Sequence, residues 1–109
     1  MGITKTDIFS YSQNELAGIA KVLGHPARIA ILQHITATES CICGELVNEI
    51  GLAQPTISQH LKELKNIGII QGTIEGTSIC YCINTDRWAE IKATLEGFLN
   101  LEIVNSNCC

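Results

Sequence analysis

The stretch CICGELVNEIGLAQPTISQHLKEL, residues 41–64, decides the fold of this chain. Two sets of apolar residues recur in it at helical spacing. The first set is Leu46, Val47 and Ile50, and the second is Ile57, Leu61 and Leu64. Gly51 is expected to end the first helix, because glycine takes a left-handed backbone at no steric cost. Pro55 suits the first turn of the second helix. The stretch therefore predicts two helices joined by a tight turn, the arrangement whose second helix enters the DNA major groove.

Two further helices are predicted before this motif. Ser12 and Glu15 have the spacing of a capping box, so Ser12 is expected to start the first helix. Gly24 is expected to end that helix, and the dipeptide His25-Pro26 opens the next one.

The segment after the motif predicts a β-hairpin and a last helix. Runs 69–74 and 77–83 have strand character and are joined by a turn at Glu75-Gly76. Because side chains alternate between the two faces of a strand, Cys80 and Cys82 lie on one face of the second strand, opposite an apolar face. That apolar face consists of Ile79, Tyr81 and Ile83. The stretch Asn84-Thr85-Asp86 can cap a helix with a large apolar stripe, which suits a dimer interface. The stripe is Trp88, Ile91, Leu95, Phe98 and Leu99.

These elements predict a mainly α fold with a β-hairpin wing (α+β), a winged helix-turn-helix that forms a homodimer through its terminal helices. Residues 1–11 are expected to be a flexible arm, residues 12–104 the domain, and residues 105–109 a flexible tail containing cysteines. At 109 residues the chain is long enough for one ordinary domain.

Composition narrows the class of protein. The chain is 46% hydrophobic and 17% charged, which argues against disorder. It shows no secretion signal and no apolar run of the roughly 18 residues that a membrane helix needs, so a cytoplasmic protein without membrane contact is expected. Six cysteines in a reducing compartment favour metal-binding or redox-active thiols. The net charge of −4 means that DNA binding would depend on a local cationic face, near Lys62 and Lys65.

The chain resembles the ArsR/SmtB family of bacterial metal-responsive repressors over roughly residues 12–100. The matching segments are LGHPARIAIL, CICGEL, QPTISQHLKEL and GIIQGTIEGTSICYCIN. The resemblance implies a homodimer that holds an operator-promoter and releases it when an effector binds. CICGEL is similar to the arsenic-responsive branch, in which the corresponding helix opens with C-x-C-x-x-C. Cys41 and Cys43 match the first two cysteines, whereas Leu46 stands at the third position. The zinc-type Asp and His site on the last helix of other members is absent, because no histidine lies between residues 84 and 109.

The cysteines therefore carry the predicted effector site. Soft thiolates bind thiophilic ions; three suit As(III) or Sb(III), as the resemblance implies, and four suit Zn(II) or Cd(II). The predicted ligands are Cys41, Cys43, Cys108 and Cys109, with one of the tail cysteines as third donor; no permanent cofactor is expected. Cys80 and Cys82 are rival donors that a strand holds less freely.

The geometry of C-x-C restricts how one ion is held. Residues i and i+2 of a helix point about 200° apart, whereas in an extended segment they point the same way. One ion can therefore bind Cys41 and Cys43 only if this segment is not regular helix. Three alternatives stay open: small buried hydrophobes at Cys41 and Cys43, a tail without a role, and a redox or persulfide switch.

The outward face of the second motif helix is predicted to contact double-stranded DNA, as an operator with an inverted repeat. Its candidate residues are Gln54, Thr56, Ser58, Gln59, His60 and Lys62. Short and amide side chains suit base edges, and lysine suits phosphate or guanine. His60 fits phosphate contact and packing equally well. The alternative to DNA contact for the whole face is a polar surface that only meets solvent. An enzyme is not expected, because the chain has no C-x-x-C motif and no βαβ pattern.

Overall fold

Four helices and a two-stranded antiparallel hairpin form the part of the chain that the structure, a computed structural model, describes: residues 8–38, 41–42, 49–75 and 78–104. The elements are α1 (Tyr11–Leu23), α2 (Pro26–Thr36), α3 (Gln54–Asn66), β1 (Ile70–Glu75), β2 (Ser78–Ile83) and α4 (Thr85–Leu99). This order confirms the predicted winged helix-turn-helix class. Of the helix predicted before Gly51, residues 43–48 lie outside the described part, while Glu49 and Ile50 are helical. No helix in the described ranges is long and apolar enough to cross a membrane.

Helix α1 begins two residues earlier than predicted. Ser10 is its N-cap and accepts a hydrogen bond from the backbone N–H of Gln13, whose side chain accepts from the Ser10 N–H. The prediction that Ser12 and Glu15 form the capping box was therefore wrong. Ser10 and Gln13 have the same spacing, and glutamine serves in this box as well as glutamate.

The core forms where α1, α2 and α3 meet the hairpin. Helix α2 opens as predicted: Pro26 lies in its first turn, and the His25 ring accepts from the Ala27 N–H. The predicted apolar face of α3 is confirmed, since Ile57, Leu61 and Leu64 are all buried. Around this face the rest of the buried hydrophobic cluster is Ile19, Ile31, Leu32, Ile35, Ile42, Ile69, Ile70 and Ile91.

Strand β2 is hydrogen-bonded along both of its edges. On one edge it pairs with β1 in a register that sets Ile70 opposite Ile83 and Glu75 opposite Ser78. On the other edge Ile42 and Tyr81 exchange two backbone hydrogen bonds of 2.9 and 2.8 Å. The start of the segment that leads into the helix-turn-helix is therefore extended and attached to the wing.

Both faces of β2 are covered in part, because Tyr81 and Ile83 pack against the buried core while Cys80 on the opposite face is also buried. Cys80 is fully buried, whereas Ile79 is 50% exposed and Ile74 on β1 is 81% exposed. The alternation along β2 follows the predicted period of two, with Cys80 and Cys82 on the face opposite Ile79, Tyr81 and Ile83. Ile42 pairs with the second edge of β2, and this pairing could not be predicted from the sequence of the strand alone.

Helix α4 holds the end of α3 in place. Asn84 caps α4 as predicted and accepts from the Arg87 N–H. The Arg87 guanidinium donates from Nε to the Ile67 carbonyl at 2.8 Å and lies 3.7 Å from the Glu15 carboxylate. Arg87 therefore joins the ends of α1 and α3 to the last helix.

Gly51 and Gly18 provide a matched test of the turn before α3. Gly51 has φ of +82° and open space around an added Cβ, so Gly51→Ala should lose about 1–2 kcal/mol through backbone strain alone. Gly18 lies in α1, also with open space, so Gly18→Ala should gain about 0.5–1 kcal/mol. Chemical denaturation at one protein concentration measures both. A Gly51→Ala chain as stable as the parent would show that the turn does not need a left-handed residue.

Candidate DNA-reading helix and cysteine cluster

Helix α3 presents a continuous polar face to solvent. The exposed residues on it are Gln54, Thr56, Ser58, Gln59, Lys62 and Lys65. Gln54 is the first residue of α3. Because its opposite face is buried against α1, α2 and the hairpin, this helix is held by one side and open on the other. Five of the six predicted DNA-contacting side chains are therefore accessible on one surface.

Two amide side chains on this face are held along the helix. Gln54 donates to the Ser58 hydroxyl at 3.0 Å, and Gln59 donates to the Glu63 carboxylate at 3.3 Å. Both contacts span one helical turn and lie in solvent. A base edge can replace either partner at little cost, since exposed hydrogen bonds exchange readily with water.

His60, the sixth predicted contact, lies inside the fold. Its side chain is 7% exposed, and its Nδ1 accepts from the Arg28 Nε at 3.1 Å. Arg28 also donates to the Val22 carbonyl, and the His25 ring lies 4.4 Å from the His60 ring. Of the two roles considered for His60, phosphate contact and packing, this placement agrees with packing. In that role His60 fixes the reading helix against α1 and α2.

The electrostatics around His60 favour a neutral ring. Burial lowers the pKa of His60 below its ordinary value of 6.5, and the neighbouring His25 and Arg28 lower it further. A neutral ring is also what the hydrogen bond requires, because Nδ1 can accept from Arg28 only when it carries no proton.

Cys41 and Cys82 form a disulfide across the junction between the wing and the helix-turn-helix. Ile42 and Tyr81 are a hydrogen-bonded pair, so the adjacent residues Cys41 and Cys82 form a non-hydrogen-bonded pair, in which side chains approach most closely. Their Cα atoms lie 4.7 Å apart. Cys80, on the same face of β2, is likewise disulfide-bonded. The sequence analysis named Cys82 as a rival metal donor and did not predict its disulfide with Cys41.

A signal for this arrangement was present in the sequence. Both segments carry C-x-C, and two extended segments with cysteines at alternate positions match when they pair. The other predicted ligands, Cys43, Cys108 and Cys109, lie outside the described residues. Within the described ranges no three or more His, Cys, Asp or Glu side chains are arranged to hold a metal ion. The three described cysteines are oxidised, so no thiolate is available until they are reduced.

An apolar groove of about 560 Å³ runs between α2 and α4. Its lining includes Leu32, Trp88, Ile91, Leu95 and Leu99. At the C-terminal end of α4 the apolar side chains are more exposed, with Phe98 52% and Leu99 76% exposed. The apolar stripe of the last helix is therefore only partly covered by its own chain.

An exposed reading helix, a turn, and a hairpin wing define a winged helix-turn-helix DNA-binding protein. The family model described as bacterial regulatory protein, arsR family, matches residues 25–71. An HTH-type transcriptional regulator of Methanocaldococcus jannaschii is 42% identical over 76 residues, which cover 69% of this chain and 84% of that protein. The chain belongs to the arsR family of transcriptional regulators.

Two further comparisons agree with this family. The arsenical resistance operon repressor of Staphylococcus xylosus is 31% identical over 96 residues, covering 88% of this chain and 86% of that repressor. The crystal structure of Mycobacterium tuberculosis Rv0081 superposes with a TM-score of 0.66 at 30% identity, covering 84% of this chain and 91% of that one.

The buried His60 predicts a stability that depends on pH. Because the pKa of His60 is lower in the folded than in the unfolded chain, its contribution is complete above pH 6.5 and is lost as the pH falls below that value. Protonation also breaks the bond from Arg28, so the free energy of unfolding should drop by about 1 kcal/mol or more.

Chemical denaturation at a series of pH values measures this effect. His60→Asn keeps an acceptor, Oδ1, at the position of Nδ1 but does not titrate, so it should flatten the loss between about pH 7 and about pH 5. His34→Asn is the control and should leave the loss unchanged. Equal pH dependence in the parent and in His60→Asn would contradict the assignment.

Proposed function

We propose that this protein is a homodimeric repressor that holds an operator through α3 and releases it when a thiophilic metalloid binds its cysteine thiolates. The observation that carries the proposal is the exposed polar face of α3, whose apolar side is anchored in the core. As(III) or Sb(III) is the proposed effector, with Cd(II) or Zn(II) as alternatives.

The reading face is suited to DNA by its chemistry. Gln54, Ser58 and Gln59 offer donors and acceptors for base edges, and Lys62 and Lys65 supply the local positive charge that the acidic chain otherwise lacks. Thr56 adds a hydroxyl for phosphate. His60 acts indirectly, by fixing the helix that presents these side chains.

The groove between α2 and α4 supports assembly as a homodimer. Trp88 and Leu95 are half-buried and Leu99 exposed, so a second copy of α4 would complete the cover of this stripe. Two copies related by a two-fold axis would set two α3 helices against an inverted repeat, with half-sites about one DNA turn or a multiple apart.

The cysteines support a thiophilic effector. Cys41 lies at the start of the segment that leads into the helix-turn-helix, and the extended backbone at Ile42 supports its role as a ligand. Cys43, Cys108 and Cys109 are the other proposed ligands. Three thiolates suit trivalent arsenic, and the Staphylococcus xylosus relative is an arsenical resistance repressor.

The Cys41–Cys82 disulfide favours a second candidate, a repressor controlled by oxidation. Hydrogen peroxide would take two electrons and two protons from the two thiols, leaving the disulfide and two waters. Thiol-specific mass spectrometry after peroxide treatment, set beside an arsenite titration of the reduced protein, separates this candidate from the first.

Gln59 and Lys62 should affect DNA binding differently. Gln59→Ala should reduce the preference for the promoter region of the chain's own gene over scrambled duplex, by about 1–3 kcal/mol, because a base contact is lost. Lys62→Ala should weaken both duplexes alike and lower the salt slope by about one, because a phosphate contact is lost. Fluorescence anisotropy at several salt concentrations measures both, with Lys21→Ala on α1 as control. Equal losses on both duplexes for Gln59→Ala would remove its base-reading role.

Release of DNA by the effector tests the proposal as a whole. The reduced protein on that promoter duplex is titrated with arsenite, antimonite, cadmium and zinc. Arsenite and antimonite should release the DNA at the lowest concentrations, and Cys41→Ser and Cys43→Ser should need at least about tenfold more, because a thiolate is lost. An unchanged response in both variants would rule out the proposed site.

A further inference from the structure

We propose that Cys82 and Cys80 on the wing belong with Cys41 to one thiol site that takes a trivalent, thiophilic metalloid. This inference rests on the proposed function, since it names ligands for the same effector. It differs from the ligand set above by placing Cys80 and Cys82 beside Cys41, in place of Cys43 and the tail donors Cys108 and Cys109. The site then lies across the junction of wing and helix-turn-helix.

The first step is the backbone register. The two hydrogen bonds between Ile42 and Tyr81 fix the segments in an antiparallel pair, which sets Cys41 directly across from Cys82. With their Cα atoms 4.7 Å apart, the two sulfurs meet directly, and rotation of the side chains can place one atom between them. This proximity follows from the backbone and persists when the sulfurs are reduced.

The second step is the shared face. Cys80 and Cys82 lie two residues apart on β2, so both project from the face on which Cys41 lies in the neighbouring 41–42 segment. Cys80 is fully buried, and Cys41 and Cys82 are half-buried. In the oxidised structure these three sulfurs are not arranged to hold an ion, so reduction and rotation of the side chains come first. A metalloid would then enter from the Cys41 and Cys82 side, with Cys80 as the inner donor.

The third step is the chemistry. A cellular dithiol first reduces the disulfides, giving two electrons and two protons to each and becoming a disulfide itself. Arsenous acid then exchanges its three hydroxyl groups for three thiolates, and the three thiol protons leave with them as water. No electron moves in this exchange, and the As(III) centre stays trivalent.

The fourth step is the link to DNA. Ile42 is 3% exposed and belongs to the same buried cluster as Ile57 and Leu61 of α3. An ion that draws Cys41 and the β2 cysteines together therefore acts on a segment packed against the reading helix. Release follows if the ion binds better to the arrangement that fits DNA less well.

The experiment uses the full chain, reduced with a phosphine, and arsenite as the probe. Two readouts are taken: ultraviolet absorption of arsenic–sulfur bonds without DNA, and release of fluorescent promoter duplex. Cys82→Ser is the main variant because Cys82 is only half-buried, and circular dichroism checks its fold. The double variant Cys108→Ser with Cys109→Ser tests the rival tail donors in the same two readouts. Release is scored relative to each variant's own DNA affinity.

The inference predicts that Cys82→Ser needs at least tenfold more arsenite in both readouts, while the tail variant stays within twofold of the parent. It is overturned if the tail variant loses arsenite binding and Cys82→Ser keeps it, an outcome that leaves the proposed function standing. If arsenite binds the parent but releases no DNA, the proposed function fails, and the absorption readout still decides whether Cys82 is a ligand.

Discussion

The two backbone hydrogen bonds between Ile42 and Tyr81 are the constraint on which the candidate effector site depends. They attach the segment before the helix-turn-helix to the free edge of β2, bury Ile42 in the core, and bring Cys41 opposite Cys82. The two C-x-C segments are far apart in the sequence, and this pairing brings them together in the fold. With it, chemistry at the cysteines acts on the element that supports the reading helix.

Two arginines hold the reading helix, one near its middle and one just beyond its C-terminal end. Arg28 donates to His60 near the middle of α3 and to the end of α1, while Arg87 donates to the Ile67 carbonyl just beyond the end of α3. Such contacts are directional, whereas the apolar packing of Ile57 and Leu64 is not. Together they leave α3 little freedom to rotate, so a shift at the junction moves it as a unit.

Much of the fold could be predicted from local sequence. The apolar face of α3, the cap at His25 and the cap at Asn84 each depend on residues within one or two turns, where spacing and side-chain chemistry suffice. The pairing of Ile42 with Tyr81 was not predicted, because the two residues lie nearly forty positions apart. The same distance hid the meeting of Cys41 with Cys82, although matching C-x-C motifs were visible. His60 was left open because its polar partner, Arg28, lies on another helix.

X-ray absorption spectroscopy at the arsenic edge tests the central claim, that the effector is bound across the junction of wing and helix-turn-helix, most directly. The arsenite-loaded reduced chain should show arsenic bound by sulfur alone, and the Cys82→Ser chain should show one fewer sulfur neighbour, with oxygen in its place. An identical sulfur shell in the two proteins would contradict the claim, because Cys82 would then not be a ligand.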